Sequence, residues 1–174
     1  MTSIAQDHAR RAAPGRYALL GPLFVVVMSA GALGTAFVSQ WEFGLLPCVL
    51  CVWQRWAYGA ALGLGVLALA AHRRALARRL LLGLAALAFV AVAGIAFYHV
   101  GVEQGWWQGS DTCQGAGITT SMTRDDIKFA ILNAPTVSCN DVPWSLWGLS
   151  IAAFNVIFSL VFAAATAVFA LKGR

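Results

Sequence analysis

Leu80-Leu81-Leu82-Gly83-Leu84-Ala85-Ala86-Leu87-Ala88-Phe89-Val90-Ala91-Val92-Ala93-Gly94-Ile95-Ala96-Phe97-Tyr98-His99-Val100 contains no Asp, Glu, Lys or Arg. A helix crosses the hydrocarbon of a bilayer with about 20 predominantly apolar residues, and one that is apolar on every side has no solvated face to offer water. This stretch therefore reads as a membrane span. Three more of sufficient length lie around it, at approximately 17–38, 52–71 and 144–171. A chain with 60% hydrophobic and 11% charged residues, and a mean hydropathy of +0.73, falls outside the soluble globular class. The reading is an all-α membrane protein, a four-transmembrane-helix bundle forming a single domain over 1–174. Its two outer loops are 39–51 and 101–143, and neither is large enough for a soluble domain.

Basic residues set the orientation. Arg10, Arg11 and Arg16 precede the first span, Arg73, Arg74, Arg78 and Arg79 separate the second from the third, and Lys172 and Arg174 end the chain. Both termini are thus expected in the cytoplasm. The opposite side holds Arg124 and Lys128 against Glu42, Glu103, Asp111, Asp125, Asp126 and Asp141. Trp41, Trp53, Trp56, Trp106, Trp107, Trp144 and Trp147 crowd the same outer interface, where amphipathic rings accumulate. The net charge of +5 follows from this topology and gives no reason to expect nucleic acid. Ala30-Gly31-Ala32 after an apolar run also resembles a signal-peptide cleavage site, but the run continues to Val38, so an uncut first span is expected. Arg10-Arg11 reads as a cytoplasmic anchor rather than a twin-arginine signal.

All four cysteines face outward: Cys48 and Cys51 in Leu46-Pro47-Cys48-Val49-Leu50-Cys51, Cys113 and Cys139 in the long loop. An even number of outward thiols indicates an oxidising compartment such as the periplasm. A Cys-x-x-Cys disulfide forms and breaks easily, and such motifs often hold a thiol of depressed pKa. The alternatives are two structural bridges, of which a Cys113/Cys139 bond would contribute roughly 3 kcal/mol by loop entropy, or a structural zinc. Arg55 follows Cys51 by one helical turn, which would stack its cation beside that sulfur. An ionisable group in a span marks a functional site by default, snorkelling to the interface being its plain alternative. Gln54 and Trp53 lie at the same depth. With Trp144 and Trp147 they are expected to wall a pocket for a flat apolar ligand bearing carbonyls, such as a quinone. His99, at the outer end of the third span, is placed to hydrogen-bond or protonate such a ligand.

Pro47-Cys48-x-x-Cys51, the following Gln54-Arg55, four spans and the Cys113/Cys139 loop together resemble the DsbB family, over nearly the whole chain. Tyr98-His99 to Trp106-Trp107 and the Pro143-Trp144 boundary are similar to one bacterial branch of it. The resemblance implies a bacterial inner-membrane enzyme that reoxidises a periplasmic DsbA-like thiol oxidase and passes electrons to a membrane quinone, ubiquinone or menaquinone. It further implies that the reduced partner attacks Cys113 and releases Cys139. Cys139 then attacks Cys48 and frees Cys51, beside Arg55 and the quinone. Competing readings are a vitamin K epoxide reductase type, a specialised DsbB relative, and a membrane scaffold with structural disulfides. In the loop, Gly105, Gly109, Gly115 and Gly117 loosen the chain around Cys113. Thr123-Arg124-Asp125-Asp126 reads as a capped helix start with Ile127, Ala130, Ile131 and Ala134 on one face, ended by Asn133-Ala134-Pro135.

Overall fold

The computed structural model describes residues 17–110, 113, 123–126, 128 and 137–172. Arg10, Arg11, Arg16, Arg174, Asp111, Gly115, Gly117 and most of the proposed loop helix, Ile127, Ala130, Ile131 and residues 133–135 included, lie outside them. Four long helices make up the fold: α1 (Tyr17–Glu42), α2 (Val49–Ala70), α3 (Ala75–Glu103) and α4 (Ile151–Lys172). Of these, α1, α3 and α4 are long and apolar enough to cross a membrane. The second helix falls short because Gln54, Arg55 and Tyr58 interrupt its N-terminal half. The first and third helices run beyond the spans expected from hydropathy, out to the acidic residues Glu42 and Glu103.

The expected fourth span began at Trp144, and here the structure differs. Ser145–Leu146 (β1) and Leu149–Ser150 (β2) form a two-residue hairpin, pairing Ser145 with Ser150 and Leu146 with Leu149. Its turn residues Trp147 and Gly148 both have positive φ, 50° and 78°, as a mirror-image turn requires. That conformation is incompatible with a right-handed helix, so α4 begins only at Ile151. The Ser150 hydroxyl then accepts from the Ala153 amide at 3.2 Å and caps the first turn. At the start of α2, Cys48 plays the capping role with extended backbone, its Sγ accepting from the Cys51 amide at 3.3 Å.

Helix α3 packs against both α2 and α4, while α1 lies mainly on α2. The core is built from small residues and a few rings: Val25, Tyr58, Ala61, Ala68, Ala85, Phe89, Val92 and Ala163 are all buried. Phe89 meets Tyr58 and Phe162 edge-on, with centroids 6.0 and 5.7 Å apart. Leu23, Val27, Leu84, Leu87, Phe158 and Val161 point outward instead. Small residues inside and large apolar ones outside is the arrangement expected where lipid, rather than water, surrounds the helices. Gly65 shows how close the approach is: a Cβ there would stand 2.8 Å from Val25 Cγ1. At one end, Arg79 Nε donates to the Ala170 carbonyl at 3.1 Å, tying the start of α3 to the end of α4. All four cysteines are at the other end.

Candidate redox site

Two loop segments, the start of α2 and the end of α3 meet at one mouth of the bundle. Cys48, Leu50, Val102, Cys113 and Cys139 form one buried cluster, with Val49, Cys51, Ile95 and Val137 packed on it. The two cysteine pairs, distant in sequence, thus share an apolar pocket. Cys113 and Cys139 are disulfide-bonded, with Cα atoms 5.0 Å apart. Their backbones pair as well: the Cys139 amide donates to the Cys113 carbonyl at 3.0 Å, and Ser138 Oγ donates to the same oxygen at 3.1 Å. Both are fully buried in this conformation. Gly109 lies directly against Cys113, where an added Cβ would come within 2.8 Å of Cys113 Cβ. The sulfur is thus covered in this conformation. The capped start at Thr123 is present: Thr123 Oγ1 accepts from the Asp126 amide, and the Asp126 carboxylate accepts from the Thr123 amide and hydroxyl. These bonds hold the Asp126 carboxyl below its ordinary pKa.

Cys48 and Cys51 are thiols whose sulfurs lie 3.0 Å apart. Cys48 is buried and Cys51 only partly so. The hydrogen bond from the Cys51 thiol, opposed by burial and reinforced by His99, lowers the Cys48 pKa. Cys48 is therefore the sulfur prepared to be a thiolate. His99 Nε2 stands 3.6 Å from Cys48 Sγ and 3.7 Å from Glu103 Oε1, and the Cys139 backbone faces the same ring. On the other side, His99 Nδ1 is 3.4 Å from Gln54 Nε2, whose amide oxygen accepts from Asn155 Nδ2 at 2.5 Å. Glu103 in turn accepts from the Ser150 hydroxyl. His99 thus touches both cysteine pairs, a role that its position at the end of a span did not reveal.

The Arg55 charge acts on the Cys51 sulfur across one turn of α2, and its hydrogen bonds go elsewhere. Cys51 and Arg55 are one turn apart on α2, but the guanidinium reaches back to α1. It donates to Gln40 Oε1 at 2.6 Å and to the Ala36 carbonyl at 3.1 Å, and lies 5.0 Å above the Phe37 ring. No described hydrogen bond links it to a thiol. Among the described residues, Cys48, Cys51 and His99 bring three donor atoms within 4.8 Å of one another, a set that suits a soft cation. Sulfurs at 3.0 Å are nevertheless closer than the roughly 3.8 Å that tetrahedral zinc thiolates require.

Comparison with known proteins decides what this cluster belongs to. The family model described as disulfide bond formation protein DsbB matches residues 20–169. The chain belongs to the DsbB family. Several proteins named disulfide bond formation protein B are similar along most of their length. That of Chromohalobacter salexigens is 34% identical over 143 residues, covering 79% of this chain and 81% of its own. That of Haemophilus influenzae is 32% identical over 142 residues (79% and 78%), and that of Methylobacillus flagellatus 32% over 134 residues (75% and 80%). No solved structure matches the chain. Membership of the family implies a disulfide oxidoreductase of the membrane.

For a DsbB-family chain the implied cofactor is a quinone, and the residues expected around it divide into two groups. Cys51, partly exposed at the start of α2, and Arg55, which keeps guanidinium donors beyond the two used on α1, fit a ligand with carbonyl oxygens. Gln54 and His99 face inward and are engaged with Asn155, Cys48 and Glu103. Trp53, Trp56, Trp144 and Trp147 are exposed, Trp147 at 87% on the hairpin turn. A separate open cleft of about 490 Å³, lined by Val102, Trp106, Trp107, Gln108, Gly109 and Asn140, lies on the loop side.

Proposed function

We propose that this chain reoxidises a DsbA-like periplasmic thiol oxidase and delivers the electrons through its two cysteine pairs to a membrane quinone, ubiquinone or menaquinone. The observation that carries this reading is the packing of both pairs into one buried cluster beneath His99. Structural bridges have no need to share a site. A relay does.

The chemistry follows from the positions of the sulfurs. A thiolate of the reduced partner attacks Cys113 Sγ, the Cys113–Cys139 bond breaks, and Cys139 leaves as a thiolate. Cys139 attacks Cys48 of the oxidised inner pair, joining the two loops and releasing Cys51 as a thiolate at the lipid edge. The partner's second thiol displaces Cys113, which attacks Cys139 and returns the loop disulfide, and Cys48 departs as a thiolate under His99. Two electrons and two protons have then left the partner and stand on the Cys48/Cys51 dithiol. A bound quinone supplies the two-electron, two-proton acceptor that lets this pair close again. Arg55 provides a fixed cation at low dielectric beside Cys51, where charge interactions are stronger than in water.

The relay requires four spans, including α2 despite its polar outer half, with both termini in the cytoplasm and loops 39–51 and 101–143 in the periplasm of a bacterial inner membrane. The single domain of 1–174 holds all of it. In a chain whose four cysteines are serines, Trp147→Cys should react with a membrane-impermeant maleimide in spheroplasts. Arg73→Cys should react only after permeabilisation, and the opposite pattern would invert the topology. The exchange itself is tested by Cys51→Ala. With no partner for Cys48, its thiolate attacks Cys139 and frees Cys113, so peptide mapping should find Cys48 linked to Cys139 and iodoacetamide on Cys113. An intact Cys113–Cys139 bond with free Cys48 would mean that the two pairs do not exchange.

A further inference from the structure

A polar chain crosses the bundle from α4 to Cys48, and its direction can be read from its ends. Ser159 Oγ donates to the Asn155 backbone carbonyl at 2.6 Å, an oxygen that can only accept. The buried Tyr58 hydroxyl stands 2.6 Å from Asn155 Oδ1, its shortest contact, and donates there. The Asn155 amide is thereby turned so that Nδ2 donates to Gln54 Oε1 at 2.5 Å. Gln54 must then present its own NH2 to His99 Nδ1, 3.4 Å away. A neutral imidazole that accepts at one nitrogen carries its proton on the other. At the far end, Nε2 faces groups that want a proton, Cys48 Sγ at 3.6 Å and Glu103 Oε1 at 3.7 Å, and the Cys139 backbone is a further acceptor against the ring. The reverse polarity would set the Nε2 lone pair against the Glu103 carboxylate, and an imidazolium would set an Nδ1 hydrogen against the Gln54 amide. Both ends of the chain therefore demand the same arrangement.

We propose that Asn155 is a positioning residue which, acting through Gln54, holds His99 as the neutral tautomer with its Nε2–H aimed at the Cys48 sulfur. The proposal deepens the redox reading above and rests on it for its purpose: the N–H stabilises Cys48 whenever that sulfur is released as an anion. Hydrogen bonds to charged groups are the stronger kind, and a tautomer is kept only by what the other ring nitrogen touches. Gln54 thus acts on His99 rather than on a quinone. Asn155 carries no chemistry of its own and gave no signal in the sequence.

The test reads the tautomer directly. The full chain, labelled with ¹⁵N-histidine and held in lipid nanodiscs, contains three histidines, and the His99→Gln variant assigns the ring in question. The wild type should show a bare Nδ1 and a protonated Nε2. Asn155→Leu should move a substantial share of the proton to Nδ1, and lower turnover about tenfold with the KM for the partner unchanged. Tyr58→Phe removes only the hydroxyl that orients Asn155. It should shift the populations in the same direction by less, and it carries the test if Asn155→Leu does not fold. A wild-type ring protonated on Nδ1, or an unchanged tautomer in both variants, would overturn the proposal. Because the shifts are read without turnover, a chain that failed as a thiol oxidase would still give a decisive answer on Asn155.

Discussion

Cys139→Ser is expected to abolish turnover and to leave a covalent complex between this chain and its DsbA-like partner. Without Cys139, the Cys113 thiolate attacks the partner's disulfide, and the chain then has no second loop thiol to displace the partner or to carry electrons to Cys48. The complex should accumulate in cells, migrate at the summed mass on a non-reducing gel, and vanish on reduction. Its formation also depends on lifting the cover, since Cys113 is buried beneath Gly109 and Val102. If the variant is inserted and folded but no complex forms, Cys113 is not the entry point.

Arg55→Met should slow quinone reduction by roughly a hundredfold, the scale seen when a fixed group that stabilises developing negative charge is removed, while exchange between the partner and Cys113 continues. Arg55→Lys should recover only part of the rate, because lysine keeps the charge but not the planar fork. Arg55 also fastens α2 to α1 through Gln40 and Ala36, so a control must separate tether from cation. Gln40→Leu breaks one arm of the tether and leaves the charge in place. Near-normal quinone kinetics in Gln40→Leu beside a large loss in Arg55→Met would assign the effect to the cation. Equal losses in the two would make Arg55 a structural tie.

Much of the architecture was legible in the sequence for a simple reason: long uncharged apolar runs admit few structures other than membrane helices. The hairpin at 145–150 was not, because hydropathy sees Trp144 to Ser150 as the apolar beginning of a span, whereas the positive φ of Trp147 and Gly148 decides the backbone. The cysteines announced themselves by type and spacing. Arg55 was noticed for its cost in a span, but which neighbours satisfy it depends on α1, and nothing local points to Gln40. His99 was read as an interfacial residue with access to a ligand. Its contacts with Cys48 and Glu103 and the chain back to Asn155 join three helices, and no periodicity within one helix encodes them.

The central claim is that two electrons pass from a partner's dithiol to a quinone by way of Cys48 and Cys51. It is tested most directly by mixing the purified chain, in lipid nanodiscs, with a stoichiometric amount of a reduced DsbA-like protein and a soluble quinone under anaerobic conditions, and following both reactants at once. The account predicts one quinone reduced for each partner dithiol oxidised, whereas Cys48→Ser should reduce no quinone and oxidise at most one partner equivalent, with its own Cys113–Cys139 disulfide. Partner oxidation without quinone reduction by the wild type, or the same yields in Cys48→Ser, would contradict it.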